Sequence, residues 1–131
     1  MLRAIAVVAV AVVLAGCAAG PVPTTNPREE LRIATNGPGI HNGLTALYGG
    51  VILGTDNGDG TACFGTRPAD QVPIIWPYGS SARRNPLRVL DAKGGTIAVD
   101  GQTVNLGGGF APVQTGHVIG CGAADTAWVA N

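Results

Sequence analysis

The sequence predicts an all-β fold: a small antiparallel β-barrel or sandwich, OB-like or SH3-like, that follows a cleaved N-terminal signal peptide. Gly and Pro account for 21 and 9 of the 131 residues, which is too many for a helical bundle because both residues break helices. No window of helical length keeps a 3.6-residue apolar period, whereas several short windows alternate apolar and polar residues. Because about 100–200 residues form one domain, we expect a single one, over residues 31–131.

Residues 1–16 have the pattern of a signal peptide. Arg3 stands near the start, and an unbroken apolar run extends from Ala4 to Leu14. This run suits the hydrophobic region of a secretory signal, but it is shorter than the roughly 20 apolar residues that span a bilayer. The sequence therefore predicts export and removal of this segment rather than a transmembrane anchor.

The apolar run ends in Leu14-Ala15-Gly16-Cys17. This motif resembles the lipobox of bacterial lipoproteins, in which Leu, a small residue, and Gly or Ala precede the lipidated Cys. The resemblance implies that Cys17 takes a diacylglyceryl thioether and that signal peptidase II cuts before it. Two or more acyl chains hold a protein firmly, since each buried methylene adds about 0.8 kcal/mol of membrane affinity. An ordinary secretory signal, with Cys17 unmodified, is the alternative.

The resemblance also implies a location and a first partner. The mature protein is expected to be lipid-anchored on the extracytoplasmic face of the cell membrane, with membrane lipid bound through acylated Cys17. Ala18, which follows the cysteine, matches sorting to an outer membrane where the host has one. Residues 17–30 then form the lipidated N-terminus and a Pro-rich tether, which holds the domain away from the bilayer.

Two cysteines remain once Cys17 is acylated. Cys63 and Cys121 make an even pair in an oxidising compartment, where a disulfide is the default. A bridge between them closes a long loop and stabilises the fold by roughly 4 kcal/mol on the chain-entropy estimate. Two free thiols in a reactive or metal-binding site are the alternative.

Alternation of apolar and polar residues, bounded by turn signals, predicts the strands. They are Leu47–Leu53, Thr61–Thr66, Val72–Trp76, Leu87–Asp91, Thr96–Asp100, Gln102–Leu106, His117–Cys121 and Thr126–Ala130. Gly-rich turns separate most of them, including Pro77-Tyr78-Gly79-Ser80 and Gly107-Gly108-Gly109.

Asp100-Gly101 predicts one hairpin in particular. Both residues suit a two-residue type I′ turn, whose central positions need positive φ. Pairing Val99 with Gln102 would place Ile97 opposite Val104, so apolar side chains would meet on one face.

Two short motifs carry a second resemblance. Trp76-Pro77-Tyr78-Gly79 and Leu106-Gly107-Gly108-Gly109 make the mature part similar to small uncharacterised lipoproteins of high-GC bacteria. Those proteins combine a Trp-Pro-x-Gly turn with a Gly-rich C-terminal half. The resemblance implies no activity.

Charge and motif content argue against several function classes. Eight basic and eight acidic residues give a formal net charge of +0, which disfavours a nucleic-acid partner bound through a basic stripe. The Gly-x-Ser-x-Gly elbow of serine hydrolases is absent. Gly107-Gly108-Gly109 precedes Phe110-Ala111-Pro112 rather than a helix start, so the sequence contains no phosphate-binding loop.

The segment from Thr55 to Gly60 has features of a calcium-binding loop, because Asn57 and Asp59 fall at ligand positions. Thr55 stands where that loop needs its first Asp, and Thr66 stands where it needs a bidentate Glu. A tight hairpin turn is therefore the favoured interpretation. We expect neither a metal site nor a cofactor.

The strongest candidate for binding is a patch formed by Arg83, Arg84 and Arg88 with Trp76 and Tyr78. Guanidinium groups beside aromatic rings can hold a carboxylate, a phosphate, a glycan or anionic lipid head groups. A solvated loop without a ligand is the plainer alternative.

These observations predict a membrane-anchored extracytoplasmic lipoprotein with a non-catalytic β domain, acting as a binding or structural module of the cell envelope. Its partner would be an envelope protein or a glycan. The alternative is a small envelope hydrolase or thiol enzyme that uses His117 with Cys121 or a loop Asp. A partly buried, structural His117 is the plainer interpretation of that residue.

Overall fold

The computed structural model describes residues 29–39, 43–66 and 72–131. These residues form strands, bridges and turns and contain no helix, so the predicted all-β class is confirmed. The expected signal peptide, Cys17 and all but the last residues of the expected tether lie outside the described residues.

Eleven strands follow one another within the described ranges. They are β1 (Glu30–Leu31), β2 (Ala46–Asp56), β3 (Ala62–Thr66), β4 (Ile74–Ile75), β5 (Ser81–Arg83), β6 (Arg88–Leu90), β7 (Thr96–Val99), β8 (Thr103–Pro112), β9 (His117–Val118), β10 (Gly122–Ala123) and β11 (Thr126–Ala130).

Five strands form a nearly closed barrel in the order β3-β2-β8-β11-β4. Its pairs are antiparallel except β4 with β11, which is parallel. The two ends of the sheet meet through a bridge between Gly65 and Pro73 and through the Thr66 N–H, which donates to the Val72 carbonyl at 3.1 Å. The order is that of an OB-like Greek-key barrel.

A second sheet, β1-β5-β6-β7, packs beside the barrel. Its strands β5 to β7 lie in the chain between β4 and β8, and they form an antiparallel meander. Both sheets contribute to one hydrophobic core. Its largest fully buried side chains are Trp76, Phe64, Leu31, Ile52, Ile74 and Val89.

The predicted hairpin between Thr96 and Leu106 is wrong, because β7 pairs with β6 and β8 pairs with β2. A tight turn is present, since the Gln102 N–H donates to the Val99 carbonyl at 3.0 Å. Of its two central residues, Gly101 has positive φ and Asp100 does not. That geometry is typical of a type II turn, which splays the strands it joins instead of pairing them.

Gly107-Gly108-Gly109, predicted as a turn, continues strand β8. The reason is close packing: a Cβ on Gly108 would lie 2.0 Å from the carbonyl oxygen of Val129 in the neighbouring strand. The predicted strand His117–Cys121 is also shorter than expected. It ends at Val118, whose carbonyl accepts the Cys121 N–H at 2.9 Å in a turn.

Candidate ligand-binding groove

A tight turn holds the side chain of Tyr78 in solvent. The Ser80 N–H donates to the Pro77 carbonyl at 3.1 Å, and Gly79 has a φ of +83°, as in a type II turn. A Cβ on Gly79 would also lie 2.8 Å from the Cβ of Ala92. Glycine is therefore required there, and Tyr78 is left 61% exposed.

Arg83 lies next to this turn on the outer face of β5. Ala82 is fully buried, and side chains alternate along a strand, so Arg83 points away from the core. Its partner across the β1–β5 pair is Glu30. Arg32 follows β1, where it forms a bridge with Thr61. Neither Arg32 nor Arg83 has a carboxylate oxygen within 4 Å among the residues that the structure describes. The charge of Arg32 is a minor cause of the lowered pKa of Asp59.

These side chains line one groove of about 570 Å³. Its charged members are Glu30, Arg32, Arg83 and Asp91, and its exposed apolar members are Tyr78 and Ile119. Two arginines and two acidic residues line the groove, so the formal charges of its lining residues sum to zero. Ser80 also contributes to the wall, but its Oγ is shielded from solvent, and we assign it no ligand contact.

Asp91 forms a fixed part of the rim. Its Oδ1 accepts the N–H groups of Gly95 at 2.9 Å and Lys93 at 2.8 Å. These two hydrogen bonds, the one from Gly95 foremost, hold the pKa of Asp91 below its usual range. The carboxylate is therefore ionised near neutral pH.

The structure divides the predicted aromatic and arginine patch. Trp76 is fully buried and packs edge-to-face on Phe64, with ring centroids 6.0 Å apart. Its assignment to a surface patch is therefore wrong. The reason is alternation: Trp76 lies two residues after buried Ile74 and shares its inward direction. Tyr78 and Arg83 are the members of the patch that line the groove.

The other two arginines have partners within the fold. Arg84 forms a bidentate ion pair with Asp56, with Nη2 lying 3.1 Å from Oδ1 and Nε contacting Oδ2. This pair raises the pKa of Arg84 and lowers that of Asp56. Arg88 donates from Nη1 to the carbonyl oxygens of Arg84 and Pro86 at 3.2 and 3.1 Å.

The predicted disulfide between Cys63 and Cys121 is present, with an S–S distance of 2.00 Å and a Cα–Cα distance of 4.8 Å. It ties the loop after β9 to strand β3. A second contact reinforces this link, since Asn57 Nδ2 donates to the Gly120 carbonyl at 2.6 Å. Together these contacts hold Ile119, which is 52% exposed, at the edge of the groove.

The acidic turn between β2 and β3 is stabilised by its own carboxylates. Asp56 Oδ1 accepts the Gly58 N–H at 2.9 Å, and Asp59 Oδ1 accepts the Thr61 hydroxyl and N–H at 2.6 and 2.9 Å. The Thr61 hydroxyl is the main cause that lowers the pKa of Asp59. These bonds support the interpretation as a turn. Within the described ranges, no three His, Cys, Asp or Glu side chains cluster in a way that could hold a metal ion.

His117 is exposed, so its interpretation as a partly buried residue is wrong. It lines a shallow depression with Asp59, Asn57 and Thr61. Cys121 is bonded to Cys63, so it offers no thiolate to His117.

Sequence reasoning missed Glu30, Arg32, Asp91 and Ile119 as groove residues. The alternation of Arg32 with buried Leu31 and Ile33 is a signal that it faces outward, but that stretch was too short to predict a strand. Nothing in the sequence places Ile119 in one groove with Tyr78, because their relative position depends on the disulfide and on the pairing of segments far apart in sequence.

Nowhere in the part of the chain that the structure describes is there a helix with the length and apolar character needed to cross a bilayer. Comparison with known proteins finds no matching family model, no matching curated protein and no matching solved structure.

Proposed function

We propose that the chain is a lipid-anchored protein of the extracytoplasmic membrane face, whose β domain binds an envelope component in the groove without catalysis. The resemblance of Leu14-Ala15-Gly16-Cys17 to a lipobox supports the anchor. The observation that carries the binding proposal is the groove itself. It offers an exposed aromatic ring on Tyr78 and a guanidinium on Arg83 that no described carboxylate occupies.

The position of the groove fits an anchored protein. Glu30 lies both in the groove and in the first strand of the domain. At about 3.1 Å per residue, a chain in the polyproline II conformation would span roughly 40 Å from Cys17 to Glu30. A lipidated Cys17 would therefore keep the groove close to the membrane surface, where envelope components are concentrated.

The arrangement of the described side chains supports binding better than it supports catalysis. A thiol enzyme needs a thiolate at Cys121, and the disulfide with Cys63 removes it. A hydrolase using His117 with a loop carboxylate would draw on Asp59, whose Oδ1 already accepts two hydrogen bonds from Thr61. Tyr78 and Arg83, in contrast, are both available in a groove of ligand size.

Site-specific cross-linking tests this function. A photo-crosslinking phenylalanine analogue in place of Tyr78 should give a discrete adduct in intact cells, because the groove is occupied there. The same analogue in place of Leu47, which is 70% exposed on the barrel, is the matched control. The adduct at position 78 should be lost on Arg83→Gln. No adduct, or the same adduct at both positions, would contradict binding in the groove.

A further inference from the structure

We propose that the ligand of the groove is an acidic saccharide, with a sugar ring packed on Tyr78 and its carboxylate held by Arg83 and Arg32. This inference rests on the proposed function, which assigns ligand binding to the groove, and it adds the chemical class of that ligand.

The ring of Tyr78 provides the platform. It is 61% exposed, and no aromatic ring of the described residues stacks on it. The C–H face of a pyranose is apolar, so contact with an aromatic face gains dispersion energy and removes apolar area from water. Ile119, which is 52% exposed, lines the same groove and contributes further apolar surface to it.

The charged groups provide both donors and acceptors. Guanidinium groups present planar N–H donors that match a carboxylate, and Arg32 and Arg83 supply two of them. Glu30 and Asp91 supply carboxylates, which accept hydrogen bonds only. A sugar hydroxyl both donates and accepts, so a polyhydroxylated ring can satisfy both kinds of group.

The charge balance selects against polyanions. A nucleic acid or an anionic lipid surface presents many negative charges. Each negative charge beyond the first would be repelled by the carboxylates of Glu30 and Asp91. A sugar unit with one carboxylate needs only the two guanidinium groups. The formal net charge of +0 for the whole chain adds no general attraction for polyanions.

Titration calorimetry tests the ligand class with protein purified from membranes in detergent. The acidic probe is a tetrasaccharide of alternating glucuronate and N-acetylglucosamine, and the neutral probe is an N-acetylglucosamine tetramer. The acidic probe should bind saturably and at least about tenfold more tightly, as expected for charge-assisted hydrogen bonds. Equal affinity for the two probes, or no binding of the acidic one, would overturn the proposal. So would equally tight binding of glycerol phosphate, which would assign the site to phosphate.

Variants link the binding to the groove. Arg83→Gln should weaken binding of the acidic probe at least about tenfold, and Tyr78→Ala should weaken binding of both probes. Arg84→Gln is the matched control, because Arg84 is the adjacent residue and pairs with Asp56. The affinity of this variant for the acidic probe should equal that of the wild type. An Arg84→Gln effect as large as that of Arg83→Gln would contradict the proposed site.

The results of cross-linking and calorimetry together distinguish a wrong ligand class from a wrong proposed function. If the cross-linked adduct forms at position 78 while the acidic tetrasaccharide does not bind, the ligand class is wrong and binding in the groove stands. If neither the adduct nor the binding is observed, the proposed function is contradicted as well.

Discussion

Arg83 and Arg84 are adjacent in the sequence but have different roles. Arg83 faces the groove from β5, whereas Arg84 pairs with Asp56. The sequence predicted an arginine-rich binding patch but could not show which arginine faces the groove and which pairs within the fold. The pairing of Arg84 depends on Asp56, which is 28 residues away. Trp76 shows the same limit of prediction from the sequence alone. Its indole looks suited to a ligand site, and only the packing of both sheets shows that it fills the core.

Substitutions at Trp76 and Tyr78 should separate stability from binding. Trp76→Ala should lower the free energy of unfolding by about 3–5 kcal/mol, because it leaves a large cavity in the core. Tyr78→Ala should change it by no more than about 0.5 kcal/mol, since the side chain is exposed. Urea denaturation followed by fluorescence of the remaining Trp128, or by circular dichroism, measures both. A loss for Trp76→Ala as small as the one expected for Tyr78→Ala would contradict the place of Trp76 in the core.

The lowered pKa values of Asp56, Asp59 and Asp91 predict a loss of stability in acid. A carboxylate whose folded-state pKa lies below its unfolded value stabilises the fold above the unfolded pKa, about 3.9. That contribution disappears as the pH falls through the lower, folded-state pKa. The urea midpoint should therefore be constant from about pH 7 to 5 and fall below about pH 4. In Asp59→Asn the fall should be smaller, and an unchanged pH profile would contradict the role of Thr61 at that carboxylate.

At the scale of elements, local patterns predicted where most strands lie but not all of their partners. The alternation from Thr96 to Leu106 correctly indicated two strands and a turn. It did not indicate that the turn is of type II or that its residues bond to β2, where the Gly101 N–H donates to the Ile52 carbonyl at 2.8 Å. Strand β5 was missed because three residues are too few to show a period. Such pairings depend on long-range contacts that no short window contains.

The glycines at 107 and 108 should differ sharply in their tolerance of a side chain. Gly108→Ala should destabilise the fold by about 1–3 kcal/mol or more, because φ is +147° and the new Cβ would lie 2.0 Å from the Val129 oxygen. Gly107→Ala is the control, since nothing lies within 4 Å of a Cβ there. Thermal or urea denaturation compares them. Equal stability of the two variants would contradict the close packing of β8 on β11.

The disulfide should be a major stabilising link. Cys63 and Cys121 are 58 residues apart, so replacing both by Ser should lower the free energy of unfolding by about 4 kcal/mol on the chain-entropy estimate. The same change should weaken ligand binding, because it frees the loop that presents Ile119. Denaturation of the wild type with and without reductant provides the comparison. A double variant as stable as the oxidised wild type would show that this link contributes little.

At the scale of the whole molecule, composition and periodicity were enough to predict the class of fold. Abundant Gly and Pro, the lack of a helical period and short alternating windows are properties of the entire chain, and they predicted a small antiparallel β-barrel or sandwich. The pair of cysteines, in a chain that the sequence predicts to be exported, similarly predicted the bridge. The groove was not predictable as a whole, since its residues come from β1, β5, two turns and a disulfide-linked loop.

The proposed function depends most on Cys17, because the proposed membrane anchor is a lipid on its sulfur. Intact-mass and N-terminal peptide mass spectrometry of the protein purified from membranes tests this directly. We expect a mature chain that begins at Cys17 and carries a diacylglyceryl group on its sulfur. We also expect a Cys17→Ser variant to lack this group and to leave the membrane fraction. A mature chain with an unmodified Cys17, or one that begins at another residue, would contradict the proposed anchor.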